Sequence, residues 1–88
     1  MQIKNGYIIK KLGSGYVVVT VGQASKDFNG LIRLNEPGAF LWKSIQNGAD
    51  NKEKLIEKML ERYEDLDEIT AEKDLNEFLE TVDFALEE

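Results

Sequence analysis

The hydrophobic pattern of the chain changes period once, near residue 35. Before that point, apolar and β-branched residues fall in short runs bounded by glycine. Tyr7-Ile8-Ile9-Lys10-Lys11-Leu12 and Tyr16-Val17-Val18-Val19-Thr20-Val21 have the composition of strands. Gly13-Ser14-Gly15 between them tolerates positive φ, so the pair is predicted to form a β-hairpin. The second run is nearly all apolar, as suits a central strand. The polar stretch from Gly22 to Asn29 reads as a connecting loop with Phe28 tucked beneath it. Leu31-Ile32-Arg33-Leu34 then gives a third, short strand on one outer edge of the meander.

Beyond residue 35 the period is helical. Asn35 is a good N-cap, and Pro37 stands in the first turn, where its missing N–H costs little. Gly38, Leu41, Trp42 and Ile45 form the buried stripe of a first helix, which Asn47-Gly48 ends. Asp50, with Glu53 three residues on, predicts the start of a second helix whose stripe is Leu55, Ile56, Met59, Leu60 and Tyr63. Glu64 to Glu68 is an acidic loop anchored by Leu66. A third helix is predicted from about Ile69 to Leu86, with Ala71, Leu75, Phe78, Leu79, Val82 and Leu86 on one face; Phe84 falls on its polar face, as an ordinary exposed aromatic or a contact for a partner protein. The expectation is an α+β fold, a three-stranded antiparallel sheet followed by three helices, in a winged helix-turn-helix-like order. With 88 residues, a single domain spanning 1–88 and one modest core is expected.

Composition removes most chemistry. The chain has no Cys and no His, hence no thiolate or imidazole metal ligand, no thiol nucleophile and no side chain that titrates readily near neutrality. No metal, cofactor or catalytic residue is expected, and the chain is read as a binding module, not an enzyme. Gly13-Ser14-Gly15 lacks the third glycine and the lysine of a phosphate loop, and Asp65, Asp67 and Glu68 lack the spacing of a calcium loop. Met1-Gln2-Ile3-Lys4 does not open a signal peptide and no segment approaches about 18 consecutive apolar residues, so a cytoplasmic protein without a membrane partner is expected.

Charge is polarised. Residues 1–48 carry six basic and two acidic side chains, a net of +4, whereas residues 49–88 carry five basic and fifteen acidic ones, a net of −10. Solvated helix faces rich in Glu are one explanation; the other is that the basic half, with Arg33 on the third strand, meets an acidic partner. The alternative class for such an element order is a winged-helix transcription or adaptor protein. The acidic helical half argues against a nucleic-acid partner, because phosphate would be repelled.

Asp27-Phe28-Asn29-Gly30-Leu31-Ile32-Arg33-Leu34-Asn35-Glu36-Pro37-Gly38-Ala39-Phe40-Leu41-Trp42 resembles the PqqD-like family. Tyr16-Val17-Val18-Val19 upstream belongs to the same likeness, as do Leu55, Tyr63 and Thr70-Ala71-Glu72-Lys73-Asp74-Leu75 with Phe78-Leu79 downstream. The chain departs from many relatives at its end, where Phe84-Ala85-Leu86 stands in place of a glycine and two aliphatics. The resemblance implies a recognition element for ribosomally synthesised precursor peptides. In such elements a leader peptide adds as a strand beside the third strand, against the third helix. The peptide is then presented to a modifying enzyme, commonly a radical S-adenosylmethionine maturase. The implied peptide-binding residues are Leu31, Ile32, Arg33 and Leu34 on the strand, with Asp74 and Phe78 on the helix.

Ordinary structural roles compete with this assignment. Leu34, Leu41, Trp42, Leu75 and Val82 suit a core, and Asn35 suits a cap. Around Leu75 the third helix offers two flanks, Asp74, Phe78, Thr81 and Ala85 on one side and Glu72, Leu79, Asp83 and Leu86 on the other. Either flank could face the third strand; Asp74 and Phe78 are the candidates. Which backbone N–H groups of the strand point outward is likewise open in the sequence.

Overall fold

The computed structural model describes residues 1–28 and 30–87. The elements are β1 (Gln2–Ile3), β2 (Tyr7–Leu12), β3 (Gly15–Thr20), α1 (Ala24–Asp27), β4 (Leu31–Leu34), α2 (Glu36–Gln46), α3 (Lys52–Arg62), α4 (Glu68–Thr81) and β5 (Leu86–Glu87), with a 3-10 turn over Asp83–Ala85 before the last strand. The predicted third strand is β4 and the three predicted helices are α2, α3 and α4. The α+β architecture is the expected one: β2, β3 and β4 form an antiparallel sheet in that order, with β3 in the centre.

The hairpin between β2 and β3 turns on two residues, Gly13 and Ser14. Leu12 faces Gly15 across it, and Gly13 has φ +63°. Glycine at the first turn position suits the right-handed twist of the strands it joins. Register then sorts side chains between two faces. Tyr7, Ile9, Tyr16, Val18, Ile32 and Leu34 share the face that carries the core, with Val18 fully buried at its centre. On the other face Ile8, Val19 and Leu31 make one row across the sheet, and Lys10, Val17 and Arg33 make the next. Ile8 and Leu31 are exposed there, so the helices cover one face only.

Trp42, Leu55, Leu75 and Val82 complete the core from the helices. The indole N–H of Trp42 finds no acceptor among the described residues. An unpaired buried donor costs roughly 1–3 kcal/mol. Burial of some 200 Å² of ring at about 25 cal/mol per Å² contributes about 5 kcal/mol, so packing wins. Each of the three long helices starts on a capping side chain: Asn35 accepts from Gly38 N (2.9 Å), Asn51 from Lys54 N (2.9 Å) and Asp67 from Thr70 N (2.7 Å). The cap of α3 is thus Asn51 and not Asp50, which instead pairs with Lys54 one turn on (3.0 Å).

Three further expectations are corrected. The loop after β3 contains the single helical turn α1. The last helix stops at Thr81 and does not reach Leu86. Phe84 is not a free exposed aromatic: it stacks on Phe28 (4.5 Å between centroids, 22°) and leans on Tyr7 (5.6 Å, 56°). One more helical turn would have left Phe84 in solvent. Breaking the helix at Val82 buries Val82 and Ala85 and seats Phe84 on the aromatics of the sheet side. It also sends β5 back along β1, where Ile3 pairs with Leu86 and Lys4 N donates to Ala85 O (2.8 Å).

Gly6, at φ +87°, closes the β1–β2 link, and its carbonyl accepts from Val21 N (2.8 Å). A Cβ at Gly6 would stand 2.7 Å from Val21 O and 2.8 Å from Ala24 Cβ, whereas one at Gly13 would meet nothing within 4 Å. Gly13→Ala therefore carries backbone strain alone, about 1–2 kcal/mol. Gly6→Ala adds overpacking and is expected to cost about 2–5 kcal/mol. Urea unfolding of the two variants measures the gap; equal losses would mean that α1 yields without cost.

Candidate functional site

The hairpin turn fixes more than the face on which each side chain lies. Leu12 and Gly15 close a two-residue turn, so they are a hydrogen-bonded pair, and such pairs alternate along an antiparallel ladder. Lys10–Val17 and Ile8–Val19 are then hydrogen-bonded, and Val21 N to Gly6 O continues the series. Tyr16 and Val18 consequently direct their backbone groups at β4, where they meet Leu34 and Ile32. Leu31 and Arg33 are left with N–H and C=O directed away from β3, along the edge that no strand of the described residues covers. A short strand with unpaired backbone groups is a ready template for another strand.

Beside that edge lies a groove of about 1090 Å³. Arg33 and Leu34 of β4 form one wall, and Asp74, Glu77, Phe78 and Thr81 of α4 form the opposite one. These four fall at i, i+3, i+4 and i+7, a single helical face. Leu41, Met59 and Leu66 give an apolar floor. Phe78 is only 7% exposed, so it belongs to the core and the wall at once.

The ends of α2 and α3 are clamped together next to the groove. Arg62 ion-pairs with Glu36, and Tyr63 Oη donates to the other oxygen of Glu36 (2.6 Å). The guanidinium lies 4.9 Å from the Phe40 ring centre and 5.6 Å from that of Tyr63, with the two rings edge to face at 6.0 Å. The Tyr63 hydroxyl first, and the Arg62 guanidinium second, hold the Glu36 carboxyl below its ordinary range. Burial, with the anionic Glu36 beside it, pushes the Tyr63 phenol up.

A sheet followed by a capped helix at Asn35, an open β4 edge and a groove against the last helix suit one known family, and its profile, described as coenzyme PQQ synthesis protein D (PqqD), matches residues 8–83. The chain belongs to the PqqD family. Among solved structures it is similar to "TbiB1 in Complex with the TbiA(beta) Leader Peptide", with a TM-score of 0.74, 20% identity, and coverage of 94% of this chain and 88% of that chain. At that identity the likeness is one of fold. No curated protein matches the chain.

In this PqqD-family protein the groove brings together Arg33, Leu34, Asp74 and Phe78 from the residues read as candidates in the sequence. Thr81 joins them from the same flank of α4. Leu31 and Ile32 do not line the groove: Leu31 is half exposed on the open face of the sheet, and Ile32 is half-buried against the core. Leu31 offers its backbone to the edge, whereas the backbone of Ile32 is spent on β3. The Glu36–Arg62–Tyr63 clamp was not foreseen. Glu36 and Phe40 stand four apart on α2, but no periodicity pairs them with residues more than twenty positions downstream. No helix of the described residues is long and apolar enough to cross a membrane.

A depressed carboxyl pKa contributes stability that is present above its unfolded value and is lost as pH falls through the folded one. Tyr63→Phe removes the larger cause at Glu36, so the Glu36 pKa is expected to rise toward the ordinary range. Stability at pH 7 should drop by about 0.5–1 kcal/mol, an amount already discounted for solvent around the pair. The loss should shrink as pH falls below the ordinary Glu range. NMR titration of the Glu36 side chain, with urea unfolding at several pH values, checks both; a loss that does not vary with pH would assign Tyr63 a packing role alone.

Proposed function

We propose that this protein binds the leader segment of a ribosomally synthesised precursor peptide as an additional strand along β4 and presents it to a modifying enzyme. The observation that carries the reading is the outward direction of the Leu31 and Arg33 backbone groups beside an apolar groove. Strand addition draws affinity from such groups and specificity from alternate side chains. The PqqD-family membership and a neighbour of the same fold described in complex with a leader peptide support it.

The magnitudes suit a reversible complex. Four backbone hydrogen bonds at about 1 kcal/mol each, with two apolar anchors at about 1.5–3 kcal/mol each, exceed ordering costs enough for micromolar or submicromolar binding. The protein acts as a recognition element for a separate enzyme and not as a catalyst. A radical S-adenosylmethionine maturase is the partner class that the family resemblance suggests. The carboxylates around the groove disfavour the nucleic-acid alternative, since they would repel a phosphate backbone.

The phase of the ladder makes the test specific. Arg33→Pro removes an outward N–H, a change that edge strands tolerate, so the fold is expected to survive while leader binding weakens at least tenfold. Arg33→Ala keeps that N–H and separates the backbone from the side chain. Ile32→Pro deletes a bond to β3 and should cost several kcal/mol of stability. Calorimetric titration with a leader peptide encoded beside this gene, and amide shifts at Leu31 and Arg33, provide the measurement. A folded Arg33→Pro variant that binds like wild type would exclude strand addition at β4.

A further inference from the structure

The groove has a charge opposite to that of the sheet that borders it. Glu61 and Arg62 from the end of α3, Glu64 and Asp65 from the following loop, and Asp74 and Glu77 from α4 all line it. Arg62 is neutralised by Glu36, and none of the five carboxylates forms an ion pair among the described residues. Arg33 also borders the groove, but its side chain shares the register row of Lys10 and Val17, on the face turned away from the helices. The cation of Arg33 therefore does not offset the carboxylates that look onto the apolar floor.

Carboxylates on a helix surface are ordinarily just solvated. Here they rim a cavity that has an apolar floor and runs along an unpaired backbone edge. Resting on the strand-addition reading, we propose that the groove selects a peptide with Lys or Arg at the alternate positions facing α4, with Asp74 and Glu77 as specificity-determining residues. Alternation in a strand sends every second side chain toward α4. Opposite the core-facing residues Ile32 and Leu34, an incoming strand directs its side chains toward Phe78, with Asp74 and Glu77 beside it. A long basic side chain can lay its methylenes on Phe78 and the floor while its charge meets these carboxylates, as amphipathic cations do at apolar rims. An acidic side chain at the same positions meets only like charge, which excludes competing peptides.

The test is a selection of displayed random twelve-residue peptides on the full chain, followed by titration of the enriched sequences. The expected outcome is enrichment of Lys or Arg at every second position around apolar residues. Those peptides should bind the Asp74→Lys/Glu77→Lys variant about tenfold more weakly, and the milder Asp74→Asn/Glu77→Gln variant two- to threefold more weakly. Their affinity should also fall between 0.1 and 1 M salt. Both α4 positions are exposed, so the fold is expected to persist, and circular dichroism verifies it. Binders that shift the Leu31 and Arg33 amides but lack alternate cations, or that ignore the charge reversal, overturn this inference and leave strand addition standing. Binders that leave those amides unmoved, or a selection that yields none, overturn both.

Discussion

A two-residue turn at Gly13 and Ser14 sets the hydrogen-bonding phase of the entire sheet. Because Leu12 and Gly15 must be a bonded pair, every second residue of β3 gives its backbone to β2 and the others give theirs to β4. The phase passes on to β4, where Ile32 and Leu34 are consumed inward and Leu31 and Arg33 are left outward. A turn one residue longer would exchange these roles and also rotate side chains between faces. The open edge is therefore determined by a turn in the neighbouring hairpin, outside the strand that carries it.

Leu34 is the hinge between this phase and the helices. It is buried on the core face, it ends β4, and the next residue caps α2. The chain thus passes from strand to helix with no intervening loop, which holds the start of α2 against the groove. Glu36, in the first turn of α2, lies where the helix dipole already favours an anion. Its bonds to Arg62 and Tyr63 fasten the end of α3 at the same place. The pair is exposed enough that its contribution to stability is small. Its larger consequence is geometric, since it fixes the spacing between two helices that share the floor.

The charge distribution has a similar two-level origin. In the sheet, Lys10 and Arg33 flank Val17 in one register row, where long basic stems suit an apolar neighbour, and Val17 is buried between them. Acidic residues gather in the helical half as solvated faces. Folding then lays five of those carboxylates around one groove, next to a strand whose own cation points to the other side. A net charge per half, read along the chain, gives no warning of this arrangement.

Local pattern alone determined the three strands of the main sheet, the three long helices and their order in this PqqD-family protein, because each depends on neighbours within a few residues. The period change at residue 35, the Asn35 cap, and the stripes of Leu41, Trp42 and Ile45 or Leu55 and Met59 needed no tertiary information. Arg33, Leu34, Asp74 and Phe78 were candidates through the family resemblance alone, which points to the third strand and the third helix. Tertiary structure decided what depends on distant partners. Only the register across three strands separates the backbone of Ile32 from that of Arg33. Only the packing of α4 selects the flank carrying Asp74 and Phe78. The end of α4 was misread because helical periodicity continues through Leu86, whereas the aromatic contacts of Phe84 with Phe28 and Tyr7 and the pairing of β5 with β1 favour a break. Those contacts join residues more than fifty positions apart, and a pattern that repeats every three or four residues carries no information about them.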